Sequence, residues 1–225
     1  MAKIGACLLC AQISSDEIAL CPACQGALPR MGDCCARCAI ALPAITLNGL
    51  CGNCLFDPPA FDHCFSLGPY EYPLRELISR FKFQGSFSCG AALAQLLAMQ
   101  LEPHWQTQCP TLLLPVPLHP SRLRGRGFNQ SGELARILAR HFPTQMTQTL
   151  CQRIRATPSQ KGLSAQERAS NLRGAFSIGE WKPAWRHVAI VDDVVTTMST
   201  VNEIARLLKK RGAERVDVVS LARVN

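Results

Sequence analysis

The stretch from Val188 to Ala222 permits few folds. Val188, Ala189, Ile190 and Val191 form an uninterrupted apolar run, the pattern of a strand buried on both faces. Two adjacent carboxylates follow, Asp192 and Asp193, then two valines and the hydroxyl-rich tract Thr196, Thr197, Met198, Ser199, Thr200. Val201, Ile204, Ala205 and Leu208 recur at i, i+3, i+4 and i+7, which gives a helix one apolar face. Thr200-Val201-Asn202-Glu203 reads as a capping box, with Thr200 at the N-cap and Glu203 reaching back. Lys209, Lys210 and Arg211 suit the negative end of the helix dipole, and Gly212 supplies the stop. Arg215 to Ala222 reads as a second strand. The order predicts an α/β fold with a mostly parallel sheet and a ligand loop at a strand's carboxyl end.

The chemistry of that loop points to a phosphorylated sugar. Backbone N–H groups and hydroxyls across Val194, Thr196, Thr197, Met198, Ser199 and Thr200 can take a phosphate, helped by the positive end of the helix dipole. Asp192 and Asp193 can accept hydrogen bonds from ribose hydroxyls, directly or through Mg²⁺. The tract resembles the phosphoribosyl pyrophosphate (PRPP) motif of type I phosphoribosyltransferases, in which two acidic residues precede a TTGST-like loop. The chain departs from it at Met198, where that family has glycine. Glycine admits positive φ and close approach of backbone to phosphate. Methionine implies a loop that adapts with its side chain outward, or a weakened phosphate site.

The other end of the chain is dominated by cysteine. Nine of the 13 cysteines precede residue 55. Cys7, Cys10, Cys21 and Cys24 form two C-x-x-C pairs, as do Cys35, Cys38, Cys51 and Cys54. Such pairs make tetrahedral Cys₄ zinc sites, because two thiolates from one tight turn reach the same ion. Two sequential ribbons are preferred to interleaved pairing, and Cys34 is read as a spectator. Four thiolates leave no open coordination position, so the zinc would be structural. The start of the chain shows no apolar signal segment, and no stretch has the length of a membrane span. We therefore expect a cytoplasmic protein with bound metal rather than disulfides. Cys64, Cys89, Cys109 and Cys151 stand alone and read as small buried apolar residues.

Charge is unevenly shared. Residues 1–64 carry a net −2, so the rest carries +10 of the total +8. Residues 119–173 alone hold ten Lys or Arg against two Glu, a net +8. Positive charge beside a phosphate-type loop suggests a polyanionic ligand. Arg122, Arg124 and Arg126 lie in a Pro- and Gly-punctuated loop after the apolar run Thr111 to Val116, a plausible second anion grip. Asp57-Pro58-Pro59 marks a boundary, giving a double zinc-ribbon unit at 1–60 and a transferase-like unit at 61–225. Within the second unit, Phe65 to Tyr72 reads as a strand, Leu74 to Phe81 and Ala91 to Leu101 as helices, and a further helix carries Leu134, Ile137, Leu138 and His141 on one apolar face.

The segments from Tyr70 to Gly85 (YEYPLRELISRFKFQG), VPL with RGFNQ (Arg126 to Gln130), and Gln160 to Ala175-Phe176 resemble the ComF/GntX family. With the cysteine pairs, the resemblance covers nearly the whole chain. It implies a zinc-ribbon head on a type I phosphoribosyltransferase-like fold and a part in DNA uptake during natural transformation. By the same resemblance, Arg122 to Gln130 would flank pyrophosphate, and residues from about Thr157 to Asn171, Lys161 among them, would form a mobile flap over the site. Whether the site turns over PRPP is left open, and no acceptor is legible. The competing readings are a factor that binds single-stranded DNA or nucleotide in the same basic cleft, working with the DNA-uptake machinery, and a regulator that keeps PRPP affinity without turnover.

Overall fold

The computed structural model describes residues 5–42, 47–155, 172 and 174–224. The whole of the expected flap, Lys161 included, lies outside them. At the head, β1 (Gly5–Ala6) pairs antiparallel with β2 (Ile13–Ser14). Two short helices follow, α1 (Pro22–Gly26) and α2 (Gly52–Phe56).

The expected parallel sheet is present. β3 (His63–Pro69), β4 (Leu112–Pro115), β5 (Gln145–Met146), β8 (His187–Val195) and β9 (Arg215–Arg223) form five strands in the order β3-β9-β8-β4-β5. Every neighbouring pair is parallel. All the carboxyl ends therefore meet at one edge of the sheet, where α/β proteins bind ligands. A separate antiparallel pair joins β6 (Cys151–Arg153) to β7 (Phe176–Ile178).

Helices cover both faces, as an all-parallel sheet requires. α3 (Leu74–Gln84), α4 (Phe87–Gln108) and α6 (Gln130–His141) cover one; α7 (Ser199–Lys210) covers the other. The two-residue period of β8 divides its side chains between them. Ala189 and Val191 enter the core with α3, α4 and α6, whereas Val188 and Ile190 meet Val201, Ile204, Ala205 and Leu208 of α7. The α4 helix runs well beyond the apolar stretch read from sequence, and Gly85 ends α3 in the left-handed conformation (φ 65°).

The head contributes to both cores. Cys7, Leu20, Cys21 and Leu28 pack on the α3/α4 side, and Cys35, Cys38 and Cys54 on the α7 side. Arg80 of α3 donates to the Leu8 carbonyl at 2.6 Å. Pro29 lies so close to β3 that a Cβ on Gly68 would stand 2.2 Å from its carbonyl oxygen. Glycine is required there by approach of backbone to backbone.

Three sequence expectations are corrected. The segment holding Arg122, Arg124 and Arg126 is not a loop but a short helix, α5 (Pro120–Arg126), begun by proline at its first turn and ended by Gly127 at φ 82°. The capping box is absent. The helix begins at Ser199, with Met198 at its N-cap, so Thr200 already lies inside it. Glu203 turns instead to the backbone N–H of Gly174 (3.1 Å) and pairs with Arg206. His141 is exposed rather than on the apolar face. Gly212 does end α7, at φ 103°.

Candidate functional site

Asp192 and Asp193 lie near the carboxyl end of β8, one residue pair apart from the edge where the chain leaves the sheet. Asp192 Oδ1 accepts from the Ser131 hydroxyl of α6 (3.1 Å) and from the Asp193 N–H (2.9 Å). Asp193 Oδ1 accepts from the Val194 N–H (2.9 Å). Its other oxygen, Oδ2, stands 2.6 Å from Lys82 Nζ of α3, yet off any hydrogen-bonding direction, and is buried without a hydrogen-bond partner among the described residues. The Lys82 ammonium meets the charge of this oxygen, so the acidic pair already sits against a cation.

Burial and then the charge of Asp193 push the Asp192 carboxyl up from 3.8 to about 7; Lys82, the Asp193 amide and Ser131 act in the opposite sense. Part of the residue reaches the surface, but its carboxyl sits in dense surroundings.

Beyond the acids the chain turns through Thr196 to Thr200 into α7, and these residues with Asp192 and Val194 line a small cavity. The Thr197 and Ser199 hydroxyls are 3.0 Å apart. Met198 adopts φ 62°, ψ −2°, the left-handed conformation that glycine takes at little cost. The loop thus keeps the backbone shape of the glycine motif, at about 1–2 kcal/mol of strain. The side chain does not point outward, as one reading of the sequence had it. It is half-buried against the core on the α7 side.

The RGFNQS segment acquires a role residue by residue. Asn129 Nδ2 donates to the Val116 carbonyl at the end of β4 (3.1 Å). Gln130, fully buried, accepts from Arg126 Nη1 (2.9 Å) and donates to the Lys82 carbonyl (3.4 Å). Ser131 holds Asp192. One turn of chain therefore fixes a cation, a lysine-bearing helix end and a carboxylate. An open cleft of ≈ 380 Å³ adjoins the acids, lined by Lys82, Phe83, Gly85, Arg122, Gly125, Arg126 and Phe128. Burial lowers the Arg126 pKa, partly offset by the charge of Asp193. Arg124 is exposed and does not line the cleft.

Sequence reasoning missed several participants. Lys82 and Ser131 come from helices distant in the chain. Arg153 of β6 stands near enough to Arg122 and Asp192 to feel both charges, after the larger effect of burial. Phe83 (69 % exposed) and Phe87 (54 %) flank the cleft, with Arg126 over the Phe83 ring at 5.5 Å and Phe87 against Phe128 at 4.9 Å. Only RGFNQ hinted at this convergence.

The cysteines gather as two groups, Cys7/Cys10/Cys21/Cys24 and Cys35/Cys38/Cys51/Cys54, with the sulfur atoms of each within 4.8 Å of one another. Sequential pairing is thus the geometry observed. Sγ separations of 3.7 Å (Cys10–Cys21) and 3.6 Å (Cys38–Cys51) are close to the ~3.8 Å that Zn–S bonds of about 2.3 Å impose on a tetrahedron. Burial opposes ionisation of Cys7, but backbone N–H groups of Cys10, Cys21 and Leu9 outweigh it and bring the thiol down to about 6; Cys35 falls to about 7 in the same way. Both groups suit zinc. Cys34 belongs to neither. Of the lone cysteines, Cys64, Cys89 and Cys151 are buried and Cys109 is half-buried.

An all-parallel sheet with an acidic pair and a hydroxyl loop before α7 is that of a phosphoribosyltransferase-type domain, and residues 127–225 match the family described as "Phosphoribosyl transferase domain". Competence protein F of Haemophilus influenzae is 42 % identical over 178 residues, covering 77 % of this chain and 78 % of its own. The DNA utilization protein YhgH of Escherichia coli K12 is 38 % identical over 222 residues, 97 % of this chain and 90 % of its own. Competence protein ComFC of Streptococcus pneumoniae is 26 % identical over 96 % of this chain and 99 % of its own. The chain belongs to the ComF family: a phosphoribosyltransferase-like α/β fold with two Cys₄ groups at its amino end. Among the described residues, no helix is long and apolar enough to cross a membrane.

Proposed function

We propose that this protein binds PRPP, or a closely related phosphosugar or nucleotide, and serves DNA uptake in the cytoplasm; the competence and DNA-utilization proteins among its relatives support the part in DNA uptake. The observation that carries the reading is the adjacent pair Asp192 and Asp193, set at the end of β8 beside a loop that keeps a left-handed turn even with methionine in it. The 5-phosphate would rest on Thr196 to Thr200 at the amino end of α7. The ribose hydroxyls would meet Asp192 and Asp193, and pyrophosphate would lie toward Lys82, Arg122 and Arg126. Arg124 of α5 and Lys161 of the expected flap belong to this proposal only as further cations. Asp192 and Asp193 would also hold Mg²⁺, which when bound neutralises phosphate charge. Transfer at the sugar carbon asks mainly for positioning and charge stabilisation, and these residues offer both. Zinc in the two quartets would be structural, joining a head at 1–60 to a transferase-like unit at 61–225.

The test is PRPP binding, and PRPP-dependent pyrophosphate release, with and without Mg²⁺, in the parent and in Asp192→Asn/Asp193→Asn. Binding in the parent that falls at least tenfold in the double variant supports the reading; a parent that ignores PRPP with Mg²⁺ present ends it.

One observation favours the second reading. The chain's low aromatic content of 6 % argues against base stacking, but Phe83, Phe87 and Phe128 gather beside Arg122 and Arg126. Salt-sensitive binding of single-stranded DNA, lost in Phe83→Ala/Arg126→Ala while PRPP binding is absent, would favour it.

A further inference from the structure

Arg223, the last residue of β9, is 3 % exposed, and no carboxylate lies within ion-pair distance among the described residues. A buried guanidinium without a counter-ion is expensive unless its donors are met. Here carbonyl oxygens meet Nε and Nη1, and they come from the second quartet, the phosphate loop and the adjoining Val224. Nε donates to the carbonyl of Cys38 at 3.0 Å. Nη1 donates to the carbonyls of Val195 (3.3 Å), Thr196 and Val224. Cys38 is a ligand-bearing residue of the second quartet; Val195 and Thr196 open the phosphate loop. One rigid, planar fork thus spans both.

The knuckle that presents the Cys38 carbonyl has little freedom. Ala39 follows in the left-handed conformation (φ 55°) and is buried, and its N–H bonds the Cys35 carbonyl at 2.8 Å. A metal joining Cys35 and Cys38 would lock that turn. A second tie runs alongside: Ala60 N–H donates to Asn202 Oδ1 of α7 at 2.6 Å, linking the chain just past the quartet to the first turn of the helix that follows the loop. No comparable bond joins the first quartet to the loop among the described residues; its neighbours are α3 and α4.

We propose that Arg223 is a positioning residue that couples the second cysteine quartet to the phosphate loop, so that metal in that quartet sets the shape of the sugar-phosphate site. The coupling rests on the loop reading proposed above only for its functional consequence. The carbonyls of Val195 and Thr196 are held by Arg223, which turns the amides of Thr196 and Thr197 to the opposite side of those peptide planes. Loss of metal would free the Cys38 knuckle, withdraw one acceptor from the buried cation and loosen the loop.

The test combines amide hydrogen exchange with binding of ribose 5-phosphate, on the full-length zinc-loaded protein and on Cys51→Ser, Cys10→Ser and Arg223→Lys. Lysine keeps the charge but cannot reach both sets of carbonyls. In Cys51→Ser, amides 196–200 should exchange at least tenfold faster while 188–191 of β8 stay protected, and ribose 5-phosphate should bind about tenfold more weakly, as expected for loss of a hydrogen bond to a charged group. Arg223→Lys should do the same with parental zinc content, and Cys10→Ser should leave the loop unchanged. Should Arg223→Lys not fold, chelator-treated parent protein gives the same readout. Unaltered loop exchange on loss of the second zinc overturns the coupling, as does loss of protection throughout β8, which would make the metal a mere prop for the fold. If the loop loosens as stated but the parent ignores ribose 5-phosphate and PRPP, the coupling stands and the phosphosugar reading fails.

Discussion

Lys82 of α3 places its ammonium 2.6 Å from Asp193 of β8, so the acidic pair is half-neutralised from a helix over a hundred residues away. Both side chains are mostly buried. Removing the lysine leaves two neighbouring carboxylates in a shielded site without that cation. Lys82→Met is expected to lower the unfolding free energy by ~2 kcal/mol, below the range for fully buried pairs because both groups keep some solvent. Chemical denaturation checks this, and added Mg²⁺ should recover more stability in the variant than in the parent.

The raised pKa of Asp192 gives a pH dependence with a definite sign. The folded protein holds this proton up to about 7, whereas the unfolded chain releases it near 3.8. Between those values the native state binds more protons, so this group's contribution makes stability fall as pH rises from about 4 to about 7 and then level off. Asp192→Asn should remove that slope in melting curves of metal-free protein. Mg²⁺ needs the carboxylate, so its affinity should climb across the same window with release of a proton, measurable by calorimetry in two buffers.

Met198 tests the loop. Met198→Gly relieves left-handed strain but loses half-buried packing and loosens the unfolded chain, so the net change should stay within ~1 kcal/mol with phosphosugar affinity not lower than the parent's. Met198→Val puts a β-branched residue at positive φ, where it is an outlier. It should cost ~2 kcal/mol and weaken phosphosugar binding. Equal affinity in Val and Gly variants would show that the turn does not matter for binding.

Gly68 tests the seating of the head. A methyl there meets the Pro29 carbonyl oxygen at 2.2 Å, and backbone cannot swing aside like a flexible side chain. Gly68→Ala should destabilise by ~1–3 kcal/mol and speed amide exchange around residues 28–31, with zinc content unchanged.

Metal analysis should find about two zinc ions per chain in reduced protein, one for each Cys₄ group. Chelation should lower the melting temperature, since the quartets supply Cys7, Cys21, Cys35, Cys38 and Cys54 to the two cores.

Much of this was legible in the sequence. The βαβ unit and the quartets announce themselves because their signals are local: hydrophobic period, turn residues and C-x-x-C spacing. What failed to show is what depends on distant chain segments meeting. Lys82 reads as one cation on an amphipathic helix, Ser131 as a small residue after a motif, and Arg223 as the residue just past an apolar strand. The capping box failed for a related reason. Thr200 and Glu203 have the right spacing, but the left-handed turn at Met198 starts the helix earlier, and Glu203 finds Gly174 across the fold. Phe128, remote from Phe83 and Phe87 along the chain, meets the Phe87 ring and lines the cleft with Phe83.

The cleft draws its cations from α3 and α5, while the acids and the loop belong to β8 and its turn into α7. The span 127–225 that matches the transferase family therefore begins one residue after Arg126 and omits Lys82 altogether. A protein shortened to that span would carry the cradle without its positive jaw, and the chain is divisible by homology at a point where its chemistry is not.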